Sequence, residues 1–159
     1  VSGSVRESRV AVAHTCPAPA GRVWDTLVDW ELHDRWMVLT RARGGSGEGA
    51  RVLAFTGIGP VGFSDPMEIT GWRPPSDDAP GHCEVLHRGA VVRGRGRFDL
   101  EPLPGGRCLV TWSEWVRLPP GPVGRLAGPL VRVLTASLFR RSLRNLGGLA
   151  RRRSRSGRD

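Results

Sequence analysis

The sequence predicts a single α+β domain: an antiparallel meander of strands followed by one long C-terminal helix, with two short helices after the first strand. Three observations carry this. Residues 37–118 are short alternating runs separated by Gly, Pro and Asp clusters ("GGSGEG", "GIGPVG", "RPPSDDAPGH", "HRGAV", "PLPGGR"), the texture of strands joined by hairpins. Leu126, Leu130, Leu134, Leu138, Leu146 and Leu149 then recur at helical spacing with arginines between them. The chain of 159 residues is long enough for one core, burying roughly two-thirds of the surface its unfolded form would expose.

Val5 to Thr15 is rich in valine and alanine, with charged residues at its polar positions, and reads as the first strand. Pro17 and Pro19 close it. Proline is tolerated in a first helical turn, and Val23, Trp24, Leu27 and Val28 then form one apolar face. Asp29 is placed to cap a second short turn, on which Trp30, His33 and Trp36 share a side. Six strands follow at about 37–43, 50–58, 62–72, 82–88, 91–101 and 107–118. Alternation is clearest in "VVRGRGRFDLE": Val92, Gly94, Gly96, Phe98 and Leu100 share a dry face, with Arg93, Arg95, Arg97, Asp99 and Glu101 on the wet one. Two inward glycines leave room either for a strongly bent sheet or for something that approaches it closely. In the final helix Pro129 belongs near the start, because an interior proline costs about 3 kcal/mol. The domain is expected to span residues 1–150, and "ARRRSRSGRD", with no apolar residue after Ala150, to give a basic disordered tail at 151–159.

The formal charge of +9 is unevenly placed. From Arg140 to Asp159 eight arginines face one acid, +7 in all, which leaves +2 for everything before. All 24 basic residues are arginine, a composition that partly reflects codon bias and weakens any reading of arginine as selected for phosphate recognition. Cys16, Cys83 and Cys108 are odd in number and lack metal spacing, and His14, His33, His82 and His87 form no ligand motif, so neither metal nor cofactor is expected. No apolar run approaches the ~18 residues that cross a bilayer, and the N-terminus lacks a signal-peptide layout; a cytoplasmic protein is the expectation.

The joints of this pattern are "APAGRVWDTLVDWELHDRW", "DPMEITGWRPP", "HRGAVVRGRGRFDLEPLPGGRCLVTWSEWV" and the closing leucine/arginine helix. In this order they resemble the polyketide cyclase/dehydrase-like branch of the START-related (SRPBCC) superfamily, the helix-grip fold shared with the birch-pollen allergen group, over residues 5–150. The resemblance implies a curved sheet of about seven strands wrapped around the C-terminal helix, with an apolar cavity between them closed at one end by the short helices. Trp24 would anchor the first helix, and Trp30 and Trp36 the bend where the short helices meet the sheet. Tryptophan suits such a wall, because it buries roughly 150–250 Å² and keeps one polar handle.

One parity of the strands sends Phe63, Asp65, Met67 and Ile69 inward, together with Cys83, Val85 and His87 and with Cys108, Val110, Trp112, Glu114 and Val116. Asp65, His87 and Glu114 then share a mostly apolar face, where they can act as an acid/base set. The alternative is structural: Asp65 caps the turn before Pro66, while His87 and Glu114 pair with each other or meet water at the open end. Enzymes of the resembled family cyclise and dehydrate poly-β-keto chains, often with tyrosine and arginine polarising the ketones. This chain has no tyrosine.

The leading expectation is therefore binding of a hydrophobic small molecule (a lipid, polyketide or isoprenoid) in a cavity lined by Trp36, Phe63, Met67, Val85, Phe98, Trp112, Val131, Leu134 and Leu138, with His87, Asp65 and Glu114 orienting its polar end. The second is a cyclase or dehydratase using those three as catalytic acid/base groups. The third is an interaction protein working through its basic helix, toward an anionic membrane surface rather than nucleic acid, since Phe139 is the only ring after residue 115.

Overall fold

The computed structural model describes residues 7–117 and 122–156, and within the last helix the side chains of residue 129 and of 132 onward. Strand β1 (Glu7–Cys16) leads into helix α1 (Ala20–Leu27), a 3-10 turn at Trp30–Leu32 and the one-turn helix α2 (His33–Trp36). Six strands follow: β2 (Thr40–Gly44), β3 (Arg51–Ile58), β4 (Val61–Arg73), β5 (Gly81–Arg88), β6 (Arg93–Leu103) and β7 (Arg107–Arg117). Helix α3 (Pro122–Ser156) closes the chain. The strands form one antiparallel sheet in the order β1-β7-β6-β5-β4-β3-β2, so the meander is continuous and β1 returns to pair with β7.

The meander gives the sheet two ends. At the upper end lie the β3–β4 turn, where Ile58 opposes Val61, the β5–β6 turn beyond the Arg88–Arg93 pair, and the end of β7. At the lower end β1 finishes at Cys16, opposite Cys108. Helix α3 starts from the upper end and descends: Phe139 stacks on Trp112 with centroids 3.6 Å apart, the Ser142 Oγ accepts the Val38 N–H at 3.0 Å, Asn145 donates to the Trp36 carbonyl at 3.2 Å, and Gly147 lies against Cys16. A Cβ on Gly147 would stand 3.2 Å from the Cys16 sulfur, which is why a glycine sits at this crossing.

The core occupies this lower half. Val23, Trp24 and Leu27 of α1, Trp30 and Trp36 of the bend, and Leu143, Leu146, Leu149 and Ala150 of α3 are buried against Phe98, Leu100, Val110 and Trp112. Trp24 meets Trp72 edge-on at 5.0 Å, and the Trp30 indole donates to the Gly45 carbonyl at 2.8 Å. His33 sits between Trp30 and Trp36, with centroids 5.0 and 4.7 Å away, and its Nε2 meets the Leu27 carbonyl at 2.9 Å. Burial lowers its pKa to about 4, opposed by that carbonyl and by Asp29 and Asp34, so it is a neutral wedge that fixes the bend. Burial likewise raises Cys16 and Cys83 to about 12 and Cys108 to about 11, keeping three free thiols protonated inside the core.

Four local expectations are corrected. Helix α3 runs to Ser156, six residues past Ala150: arginine is a good helix former, Ser154 is buried with its hydroxyl on the Ala150 carbonyl at 3.0 Å, and Arg153 lies 3.7 Å from Asp29. Asp29 occupies the cap position of the 3-10 turn without a side-chain capping bond, its carboxylate being turned to that arginine. Pro129 lies within α3, as its eighth residue, where it removes one backbone hydrogen bond. Leu134 and Leu138, expected in a buried lining, are 55% and 43% exposed, because the contacts holding α3 fall in its lower half. Val131 lies outside the described side chains.

Candidate functional site

Three neighbouring strands carry the ionisable cluster. His87 is near the upper end of β5, paired in register with Met67 of β4 and Gly94 of β6. Asp65 is two residues above Met67, on the same face. Glu114 opposes Gly96 on β6 and Val10 on β1. Strand alternation therefore turns all three toward the concave side, as the sequence parity anticipated.

Their geometry is that of an ion cluster. The His87 Nδ1 meets the Asp65 Oδ2 at 2.7 Å, and its Nε2 meets the Glu114 Oε2 at 3.1 Å. The Trp112 indole N–H donates to the Glu114 Oε1 at 2.8 Å. The side chain of His87 is only 8% exposed. Burial on its own lowers the imidazole pKa, but two hydrogen-bonded carboxylates overcome it and hold the group at about 10. At neutral pH, His87 is an imidazolium donating from both nitrogens. The Asp65 Oδ1 is buried and has no protein hydrogen-bond partner, so it is the one acceptor of the cluster left unengaged. Asp65 therefore bonds His87 rather than capping the turn at Pro66, while the pairing of His87 with Glu114 is present.

The two inward glycines of β6 have distinct roles. A Cβ on Gly96 would lie 2.6 Å from the Glu114 Oε1, so this glycine makes room for the carboxylate: what approaches the sheet closely is part of the cluster itself. Gly94 has φ +144°, and its Cβ would collide with the Trp115 carbonyl. Above Trp36, Phe98, Trp112 and Phe139, which form a continuous aromatic series with centroid steps of 6.3, 4.8 and 3.6 Å, the concave face is lined by Phe63, Met67 and Val85. The Trp36 indole N–H is also buried without a partner.

A groove of about 930 Å³ is lined by Arg43, Arg51, Leu53, Pro66, Glu68 and Arg88 of β2–β5 and bordered by Glu31, Val52 and Met67; Asp65, His87 and Glu114 do not line it. Among the described residues no group of His, Cys, Asp and Glu is arranged to hold a metal, and both nitrogens of His87 are already engaged. No helix of the described residues is long and apolar enough to cross a membrane.

The family described as "Polyketide cyclase / dehydrase and lipid transport" matches residues 7–151. The chain belongs to this family. Several proteins of known structure share its fold at low identity. The Zhui aromatase/cyclase from a Streptomyces species superposes with a TM-score of 0.75 at 16% identity, covering 96% of this chain and 99% of that one. A Thermus thermophilus protein gives 0.75 at 18% identity, covering 92% and 99%. A START superfamily protein from Mycobacterium smegmatis gives 0.58 at 17% identity, covering 87% and 99%. No curated protein matches in sequence. The helix-grip architecture and the polyketide cyclase/dehydrase assignment anticipated from the sequence joints thus hold.

Sequence reasoning did not find that Trp112 is tied to Glu114, although Trp-x-Glu on one strand face was the available signal. It also took Gly96 as space without naming the carboxylate that fills it.

Proposed function

We propose that the protein binds a hydrophobic small molecule against the upper concave face, its polar end meeting the His87–Asp65–Glu114 cluster. The observation that carries this reading is the unengaged Asp65 Oδ1: a buried carboxylate oxygen without a partner is an acceptor for a ligand hydroxyl or other donor. Phe63, Met67, Val85, Phe98 and Trp112 supply aromatic and aliphatic contact, and Trp36 offers an indole donor deeper in. The family description, which includes lipid transport, supports a lipid, polyketide or isoprenoid as the ligand class. Three free cysteines suit a reducing, cytoplasmic location.

A second reading, a cyclase or dehydratase, is favoured by the protonation state of His87. An imidazolium held between carboxylates at neutral pH is suited to proton donation, as loss of a hydroxyl as water requires, and not to proton abstraction. Asp65 would then be the group that accepts a proton from the ligand.

Native mass spectrometry of the purified protein, followed by denaturing extraction of what travels with it, tests the first reading. A stoichiometric hydrophobic passenger is expected; an empty protein that gains no thermal stability from polyketide-like and lipid ligands overturns it. Replacing His87 by Ala separates the two readings, weakening binding under the first and abolishing turnover under the second.

A further inference from the structure

Among the described residues eight large hydrophobic side chains are exposed, and seven of them gather at the upper end. Ile58 and Val61, 73% and 76% exposed, form the β3–β4 turn. Leu39 is beside it, its carbonyl accepting the Gly57 N–H at 2.9 Å. Val91, 65% exposed, tips the β5–β6 turn, whose Gly89 stands over the Asp65 carboxylate. Val133 and Leu134 project from the upper half of α3, with Leu138 one turn below. Only Leu53 lies elsewhere, on the outer face.

The charge around this rim is positive on balance: Arg93, Arg117 and Arg132 outnumber Glu7, the exposed acid at the start of β1 opposite Arg117. Residues 55–64 carry no charge, and the β5–β6 turn is flanked by Arg88 and Arg93. From Trp115 to Phe139 the sequence adds Arg117, Arg125 and Arg132 and no acidic residue. On the concave face Asp65 and Glu114 are buried on His87, and Glu68 is paired with Arg88 at 2.7 Å.

We propose that the protein docks by this upper end on an anionic lipid bilayer, with the aliphatic turn tips entering the headgroup–acyl boundary and the surrounding arginines on the lipid phosphates. Three separate apolar tips around an opening do not form the continuous, shape-matched patch that a folded partner requires, whereas a fluid surface accepts each of them independently. A second copy of this chain would bring arginines against arginines. An anionic bilayer satisfies both the aliphatic and the cationic groups at once. The contact surface is thus the mouth, not the basic stretch after Ala150, and the proposal stands whether or not the ligand reading holds.

The test is flotation of the full chain with phosphatidylcholine vesicles, with and without about one-third phosphatidylglycerol. Binding is expected only to the anionic vesicles, falling with added salt. The double variant Ile58→Ser, Val61→Ser should weaken it about tenfold or more at unchanged thermal stability, and Val61→Trp should give indole fluorescence quenched by brominated acyl chains. No binding to anionic vesicles overturns the proposal. So does binding that survives the double variant but is lost on deleting residues 151–159, which would assign contact to the basic terminus. Self-association abolished by the double variant, without vesicle binding, would assign the tips to a protein interface instead.

Discussion

The two halves of the grip are built by opposite means. The lower half is held by apolar interdigitation: Leu143, Leu146 and Leu149 of α3 packed among Trp24, Trp30 and Trp36, with His33 and the buried cysteines kept neutral. The upper half has at its centre a charged cluster held together through His87, Glu114 and Trp112. A single helix serves both, buried at Leu143, Leu146, Leu149 and Ala150 and exposed at Val133, Leu134 and Leu138. One end thus supplies the stability that lets the other expose apolar side chains and hold unengaged polar atoms.

This contrast is broken most directly at Glu114. Replacing it by Ala leaves the His87 imidazolium short of a partner and the Trp112 N–H unpaired, and should cost about 3–5 kcal/mol in urea denaturation. Glu114→Gln, which keeps the volume and an acceptor, should cost less. In the lower half Leu146→Ala should cost about 3 kcal/mol by lost transfer energy and cavity formation.

Acid and alkali should then separate the halves. The folded pKa of His87 is raised from 6.5 to about 10, so its stabilisation is complete below pH 6.5 and is lost as pH rises toward 10. The folded pKa of His33 is lowered from 6.5 to about 4, so the unfolded chain takes up the proton first and stability falls as pH drops from 6.5 toward 4. Denaturation midpoints measured across pH should lose their alkaline slope in His87→Gln and part of their acid slope in His33→Asn. The smallest effect is expected at Leu138→Ser: the side chain is 43% exposed, and a change within about 0.5 kcal/mol of wild type is predicted. A loss as large as that of Leu146→Ala would mean that the upper half of α3 is packed as tightly as the lower.

The sequence made the sheet legible because its strands alternate cleanly and its turns are marked by Gly and Pro, and that same alternation placed Asp65, His87 and Glu114 on one face. The partnership of these side chains was less accessible. Alternation says which way a residue points but not which atom it meets, so the division of the Glu114 carboxylate between His87 and Trp112 needed coordinates. The exposure of Leu134 and Leu138 was illegible for a related reason: heptad-like spacing predicts an apolar stripe, not whether anything covers it. The continuation of α3 past Ala150 rests on contacts from Arg153 and Ser154 that a compositional reading of an arginine-rich terminus overlooks.

One irregularity in the sheet sets how far any such reading can extend. Strand β4 slips register between Ile69 and Gly71: above the slip Asp65, Met67 and Ile69 face inward, and below it Trp72 does, to meet Trp24. Alternation carried straight through would have turned Trp72 out to solvent. The bulge works as a clutch, letting the upper and lower stretches of one strand keep independent phase. Removing Thr70, the extra residue, would run Ile69–Val85 directly into Gly71–Glu84 and keep both stretches facing inward, whereas a second residue inserted beside it would put the two stretches out of phase and turn either the ionisable cluster or Trp72 outward.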